Sequence, residues 1–323
     1  MVKLLRKNQF VVTVFDNLST GHRNAVGGAH FIEGDLRNPA DLRAALASRH
    51  YDVVMHFAAC YDVGESVRDP AKYNENNTTG SVNLLEAMRH SCISKLVFSS
   101  TCATYGNPVS LPMTERHALN PVNPYGASKL AAERAMEQFG GEHGISTISL
   151  RYFNAAGCDP EGELGERHEP ETHLIPLVLR EALRLRAGGD SEATELLLYG
   201  TDFDTPDGTC VRDFVHVSDL CAAHLLAMQR LMDKTSGSPF EAFNLGTGQG
   251  HSVKEVIATC RGVTGADIRY RVAPRRPGDT SRLIASADRA RSVLDWKPEH
   301  TSLTDIVATA WNWLRRCESG SRR

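Results

Sequence analysis

Lys95-Leu-Val-Phe-Ser99 (KLVFS), the turn Ser99-Ser100-Thr101-Cys102-Ala103-Thr104-Tyr105-Gly106, the stretch Pro124–Phe139 and Ser146-Thr-Ile-Ser-Leu-Arg-Tyr152 (STISLRY) follow one another within residues 95–152. The first and last runs are short, apolar and rich in β-branched residues, as buried strands are. The stretch between them has the length of a helix. Strand, helix, strand is the repeating unit of a parallel sheet with helices on its faces.

Working outward, the same alternation continues. Phe10–Phe15 (FVVTVF) reads as a strand, followed by Asp16-Asn17 and a turn at Gly21. Ala40–Arg49 has helical spacing, and Tyr51–Phe57 (YDVVMHF) reads as the next strand. Asn77–His90 reads as a helix with Val82, Leu85, Ala87 and Met88 on its apolar side. The second half is less regular. Gly157–Thr172, rich in Gly, Pro, Glu and His, reads as a loop. Helices are expected at Leu174–Arg186, Val217–Met232, Val253–Thr264 and Leu303–Arg316, strands at Leu196–Tyr199, Ala242–Leu245 and Ile268–Val272, and a frayed tail at Gly320–Arg323. The expected fold is α/β, a doubly wound parallel sheet beside a smaller α/β domain. The expected division is residues 1–160 for the first and 161–211 with 249–323 for the second, the chain returning to the sheet near 212–248.

The 323 residues suffice for about two domains. Lys plus Arg is 36 and Asp plus Glu 39, a net charge of −3. That balance argues against a protein that coats nucleic acid. Apolar runs such as Val53–Cys60 fall far short of the roughly 20 residues that span a bilayer. The opening Met-Val-Lys-Leu-Leu-Arg-Lys has no apolar core behind it, so it does not read as a signal peptide. Eight cysteines stand at 60, 92, 102, 158, 210, 221, 260 and 317 with no C-x-x-C pair. They point to free thiols in a reducing cytoplasm, and no metal site is expected from them.

Tyr125-Gly126-Ala127-Ser128-Lys129 carries the sharpest chemistry. On a helix, positions i and i+4 lie about 6 Å apart on one face. An ammonium below a phenol favours the phenolate, and a tyrosine so tuned can take a proton from a sugar hydroxyl and return it. Thr101 stands at a strand's carboxyl end, where open α/β sheets place ligands, so its hydroxyl can share that work.

Together these motifs resemble the extended short-chain dehydrogenase/reductase family, in its branch that epimerises UDP-hexoses at C4. The resemblance takes in Phe15-Asp16-Asn17-Leu18-Ser19, Glu33-Gly34-Asp35-Leu36-Arg37, His56-Phe57-Ala58-Ala59 and Val63-Gly64-Glu65-Ser66-Val67. It continues through Asn76-Asn77, the Thr101 turn, Tyr125 with Lys129, and Arg151-Tyr152-Phe153-Asn154-Ala155-Ala156-Gly157. Farther on come Thr172-His173-Leu174-Ile175-Pro176, Asp207-Gly208-Thr209, Val211–Val217, Asn244–Gly248 and Pro274–Asp279.

The resemblance implies NAD as cofactor and the interconversion of UDP-galactose and UDP-glucose through a transient 4-keto sugar. It implies that Asp16 and Asn17 meet the adenosine ribose, with Asp16 repelling the 2′-phosphate of NADP. Asp35 and Leu36 would flank the adenine. Phe57, Ala58, Ala59, Asn76 and Tyr152 would line the cofactor, and Lys129 would bond its nicotinamide ribose. Thr101, Tyr125, Asn154, His173, Leu174, Leu197, Tyr199, Arg212, Arg276 and Asp279 would contact the UDP-sugar, the two arginines through paired bonds to the pyrophosphate. A homodimer through Asn77–His90 and Pro124–Phe139 is also implied.

Some positions depart from the pattern. Tyr61 stands where some members carry a lysine, and Phe214 where a tyrosine is frequent. Leu283 stands where side-chain size gates N-acetylated sugars, so N-acetylhexosamine and pentose substrates stay open. Members of the family begin with a strand and a G-x-x-G-x-x-G turn, which cradles the pyrophosphate. No such turn precedes Asp16, and Val2–Asn8 matches the last turns of the helix that would follow it. The resemblance therefore implies either a longer native chain or a short, non-catalytic form. A 4,6-dehydratase is disfavoured, because Cys102-Ala103 follow Thr101 where that chemistry needs a carboxylate pair.

Overall fold

The computed structural model describes residues 1–233, 238–276 and 278–320. Its first half runs α1 (Val2–Lys7), β1 (Thr13–Asp16), β2 (His30–Glu33), α2 (Pro39–Ala47), β3 (Val54–His56), α3 (Val63–Arg68), α4 (Pro70–Tyr73), α5 (Gly80–His90), β4 (Lys95–Thr101), α6 (Pro124–His143) and β5 (Ser146–Tyr152). The second half runs β6 (Asn154–Ala156), α7 (Leu174–Arg186), β7 (Leu197–Tyr199), β8 (Val211–His216), α8 (Val217–Met232), β9 (Phe240–Leu245), β10 (Gly250–Ser252), α9 (Val253–Thr264), β11 (Arg271–Ala273), β12 (Arg282–Leu283), α10 (Asp288–Leu294) and α11 (Leu303–Gly320). Residues 321–323 of the expected tail lie outside the described part, as does Pro277.

The centre is a parallel sheet in the order β3-β4-β5-β9. Strand β4 pairs with β5 along its whole length, from Lys95 opposite Ser146 to Thr101 opposite Tyr152. All but the first residue of β4 are buried, which explains a run without alternation. Helices α2, α5 and α6 cover one face through Leu42, Leu85, Met88, Ala132 and Met136. Helices α1, α8 and α10 cover the other through Leu5, Leu220, Ala227, Ala290 and Leu294. The sheet is therefore doubly wound.

A second parallel pair, β1–β2, lies between the same two apolar clusters: Val12 enters one and Phe15 the other, as Met55 and Val54 of β3 do. Among the described residues no strand pairs β1 with β3. Their inner edges carry unpaired ladder groups, and β1 is half-buried throughout. Val11, expected inside a strand, is 87% exposed.

The remaining strands make a smaller mixed sheet, β10-β8-β12 with β6 on β8, and the pair β7–β11. Helices α7, α9 and α11 pack a third core around Ile175, Leu179, Val256, Ile257, Val307 and Trp311. Two segments of the second half return to the parallel layer: α8 with β9, and Ala287 to Trp296.

Candidate active site

Thr101 ends β4, and its hydroxyl oxygen accepts the backbone N–H of Ala103 at 3.2 Å, starting a tight turn. Helix α6 begins over that turn. The Asn123 side chain caps it by accepting the N–H of Gly126 at 2.8 Å, and Pro124 fits the first position. Gly126 is required here, because a Cβ would strike the Ala103 carbonyl. That close approach sets Tyr125 beside Thr101, near enough for the hydroxyl to favour the phenolate.

Lys129 lies one turn on, only 3% exposed. Its Nζ donates to the Ser99 carbonyl at 3.0 Å and lies 4.7 Å from the centre of the Phe98 ring. Burial lowers the ammonium to about 8. The Tyr125 phenol is raised well above its ordinary value, again by desolvation. Lys129 was expected to lower it. In this arrangement the lysine is engaged by a carbonyl, and the desolvation of the phenol dominates. Ser99 Oγ also hydrogen-bonds the Tyr152 hydroxyl, which places Tyr152 beside Lys129.

Below Lys129 lies Glu133, on the same face and 2% exposed. It accepts from Ser100 and Ser149 at 2.6 Å each and from Arg151 Nε at 2.9 Å. Arg151 reaches the Tyr105 hydroxyl at 3.1 Å, and that hydroxyl donates to Asn244 at 2.7 Å. This buried network ties α6 to β4, β5 and β9. Sequence reasoning missed Glu133, although Tyr125, Lys129 and Glu133 stand at i, i+4 and i+8.

Of the expected cofactor residues, Asp16 ends β1 and Asn17 follows it, Asp35 and Leu36 follow β2, Phe57, Ala58 and Ala59 follow β3, and Asn76 lies in the turn before α5. Asp16 is half-buried. Its Oδ1 accepts the Leu18 N–H at 2.7 Å, and Oδ2 accepts no hydrogen bond among the described residues. Asn17 donates to Asp35 at 2.9 Å, and Arg37 grips Asp35 with two bonds that hold its carboxyl well below the usual range. Leu36 is 8% exposed and belongs to the apolar core. Phe57 is 43% exposed, with its ring 4.7 Å from His224. Ala58 is exposed and Ala59 half-buried. Asn76 donates to Asn77, which pins the loop after β3 by bonds to both backbone groups of Cys60. A free carboxylate oxygen at a strand end, an uncovered aromatic and small side chains beside it, and a lysine with unused protons fit a dinucleotide.

The remaining expected nucleotide-sugar residues lie on β6, β7, β8, the start of α7 and the loop before β12. Arg212, on β8, donates to the carbonyls of Val211 and Thr280 and lies 3.9 Å from Asp279. Asp279 also accepts from Arg276 at 3.1 Å. The Arg276 guanidinium stands 5.0 Å from the centre of the Tyr199 ring. Leu197 shares a strand face with Tyr199. Asn154, on β6, pairs in register with Phe214 of β8, and Leu283, on β12, pairs with Arg212. His173 is exposed and precedes Leu174, the first residue of α7. Cys102 joins the two groups. It follows Thr101, packs near Leu283 and lies within electrostatic reach of Arg212. A hydroxyl pair and a lysine thus stand at the end of β4, and an Arg–Asp–Arg group lies on β8 and the loop before β12, with Cys102 packed between Thr101 and Leu283.

Comparison with known proteins is specific. Residues 1–246 match the NAD dependent epimerase/dehydratase family, and the chain belongs to it. It is 47% identical over 320 residues to a UDP-glucose 4-epimerase of Lactobacillus helveticus, covering 99% of this chain and 94% of that one. The structure of a UDP-glucose 4-epimerase from Brucella ovis in complex with NAD superposes with a TM-score of 0.89 at 43% identity, over 96% of this chain and 92% of that chain. The Bifidobacterium longum UDP-glucose 4-epimerase, in complex with NAD+ and UDP, gives 0.89 at 34% identity, over 99% and 95%.

Proposed function

We propose that this chain is an NAD-dependent isomerase that interconverts UDP-galactose and UDP-glucose at C4. The reading rests on Thr101, Tyr125 and Lys129 at the end of β4, and it draws support from the ion-paired Arg212, Asp279 and Arg276. Bound NAD supplies a hydride acceptor that returns the hydride to the sugar.

The chain's own residues do the rest. Tyr125 takes the proton from the C4 hydroxyl and gives it back, and Thr101 orients that hydroxyl. Lys129, held by the Ser99 carbonyl, keeps protons for the cofactor ribose. Asp16 selects a ribose with both hydroxyls free. Arg212 and Arg276 hold the pyrophosphate, and Tyr199 with Leu197 holds the uracil. Asn154, His173 and Leu174 complete the UDP-sugar pocket.

Two further readings belong here. Helices α5 and α6 pack side by side on one face of the sheet, which supports a homodimer through them. Light scattering of the purified chain tests it, and a monomer at micromolar concentration overturns it. Eight free cysteines support a cytoplasmic location, and no helix among the described residues is long and apolar enough to cross a membrane.

The test of function is direct. The chain is incubated with NAD and UDP-galactose, and the nucleotide sugars are separated by chromatography. Conversion to UDP-glucose, with cofactor still oxidised at the end, is the expected result. A chain that retains stoichiometric NAD and converts nothing overturns the proposal.

A further inference from the structure

One group of side chains has no part in the chemistry above except through His173. Glu166, His168, Glu171 and His173 lie on the loop between β6 and α7, each offering one ligand atom, and these atoms all fall within 4.8 Å of one another. His168 Nδ1 stands 3.3 Å from Glu166 Oε1 and 3.5 Å from Glu171 Oε1. His173 Nδ1 contacts Glu166 Oε1 as well. Nothing in the cysteine pattern pointed to a metal, and the spacing E-x-H-x-x-E-x-H went unread.

Two of these atoms are left without hydrogen bonds. His168 Nδ1 and Glu171 Oε2 are both buried and make no hydrogen bond among the described residues, their nearest contacts being the ion pairs with Glu166, Glu171 and Arg180. Glu171 is 8% exposed. Its Oε1 is occupied by the backbone N–H groups of Thr172 and His173, at 2.9 and 3.0 Å. Its Oε2 accepts no hydrogen bond among the described residues, and Arg180 Nη2 stands 3.7 Å away. Buried polar atoms are rarely left unsatisfied, and such an orphan in a cluster of ligating groups calls for a partner.

We propose that Glu166, His168, Glu171 and His173 form a site for a divalent transition metal, with zinc as the ion that fits. Two imidazole nitrogens and two carboxylate oxygens are a donor set zinc accepts, at about 2.0–2.2 Å from each. Tetrahedral ligands at that radius are roughly 3.3–3.6 Å apart, so the loop must contract by only about 1 Å at its widest. Two imidazoles disfavour calcium and magnesium, which take oxygen. Two carboxylates balance the ion, so the filled site is neutral where it is buried. The remaining charge, Arg180, stays on Glu171.

The site has a structural consequence. The Tyr61 ring lies 4.7 Å from His168 and 5.5 Å from His173, and Tyr61 belongs to the loop after β3 on the cofactor side. Fixing both imidazoles would fix the surface on which Tyr61 packs. It would also hold His173 at the start of α7, using Nδ1 and leaving Nε2 as its other polar atom. The metal would therefore brace the start of α7 against the loop after β3.

The test needs no activity. The full chain is stripped with a chelator, dialysed against zinc, passed through a desalting column and analysed for metal. One zinc per chain is expected. Substituted cobalt should give the visible bands of a four-coordinate site, without the near-ultraviolet charge-transfer band that a thiolate ligand would add. His168→Gln and Glu171→Gln should each weaken zinc binding by about a hundredfold or more, since even changes to supporting residues cost ten- to a hundredfold. Zinc should raise the melting temperature of the parent chain and not of these variants, with circular dichroism confirming that they fold. No zinc retained by the parent chain overturns the proposal. So does equal retention by the two variants, or a thiolate band in the cobalt spectrum.

Discussion

Tyr125, Lys129 and Glu133 rise on successive turns of one helix, whereas Arg212, Tyr199, Arg276 and Asp279 come from the mixed sheet, the β7–β11 pair and the loop before β12. The first wall is anchored before any ligand arrives. Lys129 is bonded to β4, and Glu133 is clamped by Ser100, Ser149 and Arg151. The second wall is held by charges that satisfy one another: Asp279 sits between Arg212 and Arg276, and Arg276 stays exposed. Regular secondary structure fixes where a proton is exchanged. On the proposed function, exchangeable ion pairs set where the nucleotide is held, because a pyrophosphate can take the place of a carboxylate. The first wall should therefore govern turnover and stability, and the second affinity.

The sharpest break in that contrast is Tyr125→Phe. Removing the acid/base hydroxyl should lower turnover by about a hundred- to ten-thousandfold. UDP-sugar binding, measured by calorimetry, should be nearly unchanged. A variant with normal turnover would exclude Tyr125 as the base.

Next in size is Glu133→Gln. It leaves the Arg151 guanidinium buried without its counter-charge, which costs about 3–5 kcal/mol. Denaturant unfolding should record that loss, while Glu133→Asp should recover part of it. A neutral effect would mean that this wall is not held by its buried pair.

Arg212→Ala should act on the other wall alone. Loss of charged hydrogen bonds to the pyrophosphate costs about 1.5–3 kcal/mol, roughly ten- to a hundredfold in affinity. The dissociation constant for UDP should rise while the unfolding midpoint stays close to that of the parent chain. A drop in stability as large as that of Glu133→Gln would erase the distinction between the walls.

The smallest effect concerns pH. Burial lowers His56 from 6.5 to about 3, and His216 and His224 to about 4. These rings are neutral in the folded chain, and the unfolded chain takes up more protons once pH falls below 6.5. Stability is complete above that value and is lost progressively toward pH 4 and below. His56→Gln keeps a group able to bond Ser81, which lies 2.9 Å from His56 Nε2. Its acid-unfolding midpoint should shift to lower pH, and an unchanged midpoint would remove His56 from this account.

Much of the fold could be read from local pattern. Strand β5 and helices α7, α8 and α9 have the bounds expected from spacing alone. The helix expected at Asn77–His90 instead starts in a wider π turn over Asn74–Thr79 and becomes regular at Gly80. Strand β8 was not read at all, because Arg212, Asp213 and His216 break its apolar run. Asp213 can be buried there only because the N–H groups of Thr247, Gly248 and Ala285 reach it from other elements. Strand β2 hid for a similar reason, since His30 and Glu33 bound just two apolar residues.

The sequence by itself determined the strand–helix alternation and the stacking of Tyr125 over Lys129. Both follow from the period of the backbone, which acts between residues a few positions apart. Only the tertiary structure decided that Lys129 would turn to Ser99, that Glu133 would meet Arg151, and that Asp279 would stand between two arginines. It also decided that two histidines and two glutamates would close on one point beneath Tyr61. Those meetings depend on long-range packing and on the desolvation it imposes, neither of which is written in any local run of residues.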